Sequence, residues 1–147
     1  MIIGICGLIG SGKDTIADHL VDDHSFVKLS FADKLKDSVA TMFDWNRDLL
    51  DGKTEQSRKW REQMDPFWSM ELKHEVTPRL VLQKFGTECM RDGFYDGIWV
   101  SLVKKKLKDN PQINWVIPDV RFENEANMIQ ELGGEVWWVK RGQLPMW

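Results

Sequence analysis

A short apolar run at residues 2–6 leads straight into GLIGSGK at residues 7–13, and this junction constrains the fold more than any other feature of the chain. Isoleucines at positions 2, 3 and 5 favour a buried strand, and a strand buried on both faces belongs to a sheet covered by helices. The glycines then allow a tight turn in which successive backbone N–H groups point inward. Such a turn surrounds an anion, and the helix that follows adds the partial positive charge of its N-terminus. The pattern Gly7-x4-Gly12-Lys13 is therefore read as a phosphate-binding P-loop: Gly7 opens it, Gly10 and Gly12 admit close backbone approach, Ser11 lies within the turn, and Lys13 reaches the outer phosphates. The alternative is a glycine-rich turn with no ligand. The strand before the loop and the helix after it are the context that the phosphate reading requires.

The rest of the chain continues the alternation. Residues 15–24 read as a helix with Ile16, Ala17, Leu20 and Val21 along one side, and residues 26–31 (FVKLSF) as a second strand. Asp33 is placed to cap a helix in which Leu35, Val39 and Phe43 recur every four residues. Thr77-Pro78 is a strong helix start, with Thr as cap and Pro in the first turn, and predicts one helix over residues 77–91. Residues 98–108 form a further helix with an apolar stripe of Ile98, Leu102 and Val103 and a lysine-rich solvent face. A third strand at residues 113–117 ends at Pro118-Asp119. A helix at 123–132 is closed by Gly133-Gly134, and residues 135–140 (EVWWVK) form the fourth strand. Strands alternating with helices predict a parallel sheet with helices on both faces. Residues from about 44 to 76 are polar and weakly periodic. They read as an excursion on the substrate side of a single domain spanning 1–147, a length that suits one domain.

Bulk composition removes several function classes. A formal net charge of -3 gives no electrostatic reason to expect DNA or RNA as a partner. No apolar run approaches the ~18 residues of a membrane span, so no membrane partner is expected and a cytoplasmic location is. Two cysteines cannot build a disulfide framework, and Cys6 reads as a small core residue. The eight tryptophans show no repeat period and read as core and pocket walls.

Three groups of residues carry the chemistry. Asp14 follows Lys13 where most P-loops have Ser or Thr, and Thr15 offers a hydroxyl one place later. A carboxylate beside a polyphosphate is repelled unless a cation lies between them, which points to Mg2+, with Asp14 as a ligand directly or through water. The bland reading is a carboxylate favoured by the helix dipole. Asp119 and Arg121 (PDVR) stand at the carboxyl end of the third strand, the edge where ligands of open α/β sheets bind. There Asp119 suits magnesium and Arg121 a phosphoryl group; a plain surface ion pair is the alternative. Arg79, Gln83 and Thr87 recur every four residues, which puts them on one helix face with the chemistry of a small polar ligand, or of a solvated surface. Arg58, Arg61, Lys34 and Lys36 are weaker candidates, because basic residues on polar segments are usually solvated.

At these residues the sequence resembles the deoxynucleoside monophosphate kinases of tailed bacteriophages. The resemblance rests on SGKDT at 11–15, FADKLK at 31–36, RLVLQKFGTE at 79–88, the helix beginning Ile98-Trp99-Val100, VIPDVRFENEANMIQELGG at 116–134 and VKRGQ at 139–143. It implies a three-layer α/β P-loop kinase fold with strand order 2-3-1-4. The family's lid, last strand and final helix are absent from a sequence that stops at Trp147. It also implies transfer of the ATP γ-phosphoryl group to a deoxynucleoside monophosphate. Lys13 and the loop would hold ATP phosphates, and Asp14 and Asp119 would serve Mg2+. Lys36, Arg79, Gln83, Thr87 and Arg121 would face the acceptor, and Arg141 would begin the lid on the adenine side. A phage-encoded enzyme would work in the host cytoplasm, with a homodimer as one open arrangement. The rival readings are a P-loop kinase for another phosphorylated metabolite and a non-catalytic nucleotide binder. A GTPase switch ranks low, since neither Asp-x-x-Gly after a strand nor Asn-Lys-x-Asp occurs.

Overall fold

The computed structural model describes residues 1–8 and 10–140. Its contacts divide the chain into two units, one made of Met1–Phe31 with the residues from Trp99 onward, the other of Ala32–Ile98.

The first unit is built on four parallel strands: β1 (Ile2–Gly7), β2 (Val27–Lys28), β3 (Trp115–Ile117) and β4 (Glu135–Val139), in the order β2-β3-β1-β4. This is the expected order. Alternate side chains leave the sheet on opposite faces, and both faces are covered. Ile3, Ile5 and Val116 pack with Ala17 and Leu20 of helix α1 (Lys13–His24). Trp115 and Ile117 pack on the other face with Val103 and Leu107 of α7 (Ile98–Asp109) and Met128 and Ile129 of α8 (Glu123–Glu131). The result is the three-layer sandwich that an apolar strand followed by an amphipathic helix demands. A full C-terminal cap closes α8: Gly133 N–H donates to Gln130 O at 3.0 Å and Gly134 N–H to Ile129 O at 2.9 Å.

Two expectations change here. The second strand is shorter than FVKLSF suggests, because only Val27 and Lys28 pair in register with β3, while the Phe31 N–H turns to the Asp119 carboxylate instead. The buried stripe of α7 is Trp99, Val103 and Leu107, one position round from Ile98 and Leu102, since the larger indole takes the core position. Lys104, Lys105 and Lys106 do face solvent.

The second unit begins with α2 (Asp33–Phe43) and continues through α3 (Arg47–Asp51), α4 (Glu55–Glu62), α5 (Pro66–Leu72) and α6 (Pro78–Gln83). The polar stretch is therefore helical, and it surrounds a core of its own. Val39, Leu50 and Leu82 are buried, with Phe43, Trp45 and Trp60 packed against them. Each short helix carries a side-chain cap. Asn46 accepts from the Asp48 N–H, Thr54 and Ser57 exchange reciprocal bonds, and Asp65 accepts from the Trp68 N–H. Thr77 caps α6 as expected, accepting from the Leu80 N–H at 3.1 Å. Asp33 is not itself the cap; Ala32 holds that position with no side-chain bond, and the Asp33 carboxylate meets Arg47. The helix expected over 77–91 changes character after Gln83, widening into a π-helix over Lys84–Asp92. Among the described residues no helix is long and apolar enough to cross a membrane.

Candidate active site

The described residues of the loop in the first unit have backbone features that an anion cradle needs. Gly7 ends β1 beside Val139, and a Cβ there would stand 2.6 Å from the Val139 carbonyl and 2.8 Å from Ser11 Oγ. The chain then turns, with the Ser11 N–H donating to Leu8 O at 3.0 Å. Gly10 and Gly12 take φ values of 79° and 95°, which side chains rarely adopt. Gly12 is also the N-cap of α1, and no side chain caps that end. The first-turn N–H groups of α1 thus face outward without a side-chain acceptor, the condition in which a helix N-terminus takes an anion. Ser11 is buried, yet its Oγ has no partner among the described residues. Lys13 opens α1 half-buried, and Asp14 and Thr15 are exposed on its first turn.

The segment after β3 is tied to the same sheet edge. Val120 N–H donates to Ile5 O of β1 at 3.3 Å, so Asp119 and Arg121 follow a strand end adjacent to the one that feeds the loop. Both Asp119 oxygens accept from the Phe31 N–H, at 3.1 and 3.3 Å. Arg121 is exposed and makes no ion pair with a described residue. Its backbone is held by a residue that the motif reading did not single out. The buried Glu125 carboxylate accepts from the Arg121 N–H at 2.8 Å and the Phe122 N–H at 2.9 Å. The signal was half present in the sequence, as a Glu three residues into a helix, but Phe122 stands where a capping box would have Ser or Thr.

Oxygen donors suit a magnesium ion, which commonly takes one or two carboxylates beside substrate phosphates and keeps several waters. Asp14, Thr15 and Asp119 supply such donors, so the residues present fit the ion.

The second unit carries the other candidates. Arg79, Gln83 and Thr87 are all exposed, and Arg79 pairs with Glu62 of α4 at 2.8 Å. Lys36 lies 3.6 Å from Asp51. Arg47 donates to Asp37 and Asp51, each at 2.6 Å, and reaches Asp33 at 3.4 Å. Burial pushes the Lys36 ammonium below its ordinary range and Arg47 and Arg61 add to this, against the pull of Asp51. Burial alone would raise the Asp51 carboxyl, but the Arg47 hydrogen bond and the charges of Arg47 and Lys36 outweigh it and hold it below the usual carboxylate value. A carboxyl lowered on folding stabilises the fold at pH values above its unfolded pKa, and that contribution is lost as pH falls through the lowered folded value. Asp51→Asn is therefore expected to melt lower than wild type at neutral pH, with the gap closing below about pH 4 as the unfolded carboxylate itself protonates. Thermal melts from pH 7 to pH 2 check this. Arg141 lies outside the described residues.

A 2-3-1-4 parallel sheet whose first strand runs through a glycine cradle into α1 defines an α/β protein of the P-loop kinase type. No protein-family model matches the chain. It is 37% identical over 145 residues to a protein of Acanthamoeba polyphaga mimivirus named "Putative deoxynucleotide monophosphate kinase", covering 91% of this chain and 70% of that protein. It is also 39% identical over 57 residues to the deoxynucleoside-5'-monophosphate kinase of Escherichia phage T5, a match spanning 38% of this chain and 22% of the phage protein. The chain belongs to the deoxynucleotide monophosphate kinase family.

Proposed function

We propose that this protein transfers the γ-phosphoryl group of ATP to a deoxynucleoside monophosphate, giving ADP and the deoxynucleoside diphosphate. The observation that carries the reading is the uncapped start of α1 behind Gly10 and Gly12, a cradle shaped for a polyphosphate.

In this reading the backbone N–H groups of Gly10 and Gly12, the Ser11 hydroxyl and the first turn of α1 hold the β- and γ-phosphates, with Gly7 letting the loop leave the strand. Lys13 supplies a mobile positive charge to the outer phosphate oxygens. Asp14, with Thr15 beside it, and Asp119 would hold Mg2+, which would supply positive charge to offset that of the phosphates. The Phe31 N–H keeps the Asp119 carboxylate oriented. Glu125 fixes the backbone from which Arg121 reaches the transferring group. On the acceptor side, Lys36 and Arg79 carry positive charge for the phosphate, Gln83 offers donor and acceptor edges to a base, and Thr87 a hydroxyl. The acceptor oxygen is already anionic at neutral pH, so no strong general base is required. Catalysis is positioning and charge neutralisation.

A coupled ADP-release assay with ATP, Mg2+ and each of dAMP, dGMP, dCMP and dTMP tests the proposal. ADP formation that depends on at least one of the four, and stops on chelation of the metal, is the expected result. ADP release indifferent to all four, or supported only by another phosphorylated metabolite, would overturn it.

A further inference from the structure

Three of the cations on the helices of the second unit, Lys36, Arg47 and Arg61, are not equivalent. Arg47 divides its guanidinium among Asp33, Asp37 and Asp51. Lys36, with a side chain only 20% exposed, has Asp51 at 3.6 Å, a carboxylate that Arg47 already holds more closely. Arg61 makes no ion pair with any described residue. Its Nη1 donates to the Leu50 carbonyl at 3.3 Å, and its Nε is buried with no hydrogen-bond partner.

The placement of Arg61 is built in rather than incidental. Its guanidinium lies against Gly52, where a Cβ would stand 2.5 Å from Cζ and from Nη2. Gly52 also has a φ of 68°, a backbone conformation that favours glycine there, and its lack of a Cβ leaves the room the guanidinium occupies. Buried charges in folded proteins are normally paired, because a desolvated ion without a counter-ion is costly. Here burial pushes the Lys36 ammonium below its usual range, and the charges of Arg47 and Arg61 push it further. Arg61 thus keeps a buried donor without an acceptor while it holds the carbonyl of Leu50, and the next residue, Asp51, is the carboxylate that Lys36 must share with Arg47.

We infer that Arg61 and Lys36 together hold the phosphate of the acceptor nucleotide. A phosphate monoester supplies the two negative charges and the several acceptor oxygens that a guanidinium fork and an ammonium can share. The inference rests on the kinase reading for the identity of the anion, and the geometry of Arg61 supplies the residue. In the sequence Arg61 is one of four basic side chains in polar surroundings, with Lys34, Lys36 and Arg58; what separates it in the structure is a buried Nε with no hydrogen-bond partner among the described residues.

The test uses the whole chain and two variants. Arg61→Lys keeps the charge and removes the fork; Lys36→Gln removes the second charge and keeps much of the side-chain length. Calorimetry measures binding of dAMP, dGMP, dCMP, dTMP, inorganic phosphate and ATP, and thermal melts report whether each variant is folded. The expected result is a loss of about tenfold to a hundredfold in affinity for the preferred monophosphate in each variant. A parallel loss is expected for inorganic phosphate, with ATP affinity changed less than about twofold. KM for the acceptor should rise by the same factor in the ADP-release assay. If Arg61→Lys fails to fold, Lys36→Gln decides. A folded variant that binds the monophosphates as wild type does overturns the inference, as does a wild-type protein that binds neither monophosphates nor phosphate. A wild type that binds a monophosphate through these residues but forms no ADP overturns the kinase reading alone.

Discussion

Lys13→Ala is expected to lower phosphoryl transfer by at least roughly a hundredfold while leaving the fold intact. Removing one preorganised charge or donor from a site of this kind typically costs about a hundredfold to a thousandfold in kcat. The lysine is the first residue of α1, half-buried, and belongs to neither apolar cluster of its unit. Alanine is the best helix former, so the start of α1 loses nothing in propensity. The cradle of N–H groups survives the change, and ATP binding is expected to weaken less than turnover. Initial rates of ADP release, measured beside far-UV circular dichroism and a thermal melt, check all three statements. A folded variant turning over at the wild-type rate would remove Lys13 from the mechanism.

The largest expected loss of stability is at Ile117→Ala. Ile117 is fully buried at the end of β3, among Val103, Val120, Met128 and Ile129. Truncating such a side chain removes its transfer free energy and leaves a cavity that the sheet and the two helices on that face, α7 and α8, cannot easily close. The cost is roughly 2–5 kcal/mol. For a chain of this length each kcal/mol lowers the melting temperature by about 2–4 °C, so a fall on the order of 10 °C is expected. Met70→Ala provides the contrast. Met70 is 81% exposed, and its loss should stay within about 0.5 kcal/mol. Paired thermal melts decide; equal shifts in the two variants would mean that the sheet is not the cooperative core.

The first unit was legible because each of its devices is local. Three residues of a buried strand, the glycine spacing and a helix start fall within a dozen positions, and Gly133-Gly134 declares the end of α8. The second unit hides its order for a physical reason. Helices of five, eight and seven residues, as in α3, α4 and α5, are too short to display a 3.6-residue period. Their evidence lies in Asn46, Thr54 with Ser57, and Asp65, single polar residues that are common in loops as well. The π-helix at Lys84–Asp92 has no signature in the run LQKFGTECMRD. The loop residues of the candidate site were marked by the motif, and Asp119 and Arg121 as candidates by their position after a strand. Glu125 and Asp51 were not, because their work is to hold other groups, and nothing in the order of residues says what a buried carboxylate will meet.

The aromatic packing of the second unit gives it a built-in optical label. Phe43 stacks on Trp45 at 4.8 Å, and Trp45 meets Trp60 nearly at right angles with ring centres 5.6 Å apart. Indoles fixed this closely in an asymmetric setting have a strong near-ultraviolet dichroism, which collapses once the rings can turn freely even if the helices persist. The loosening of side-chain packing around these rings, together with that around the buried Trp99 and Trp115, can therefore be followed on unmodified protein, and separated from the melting of the backbone, by recording the two spectral regions in one titration.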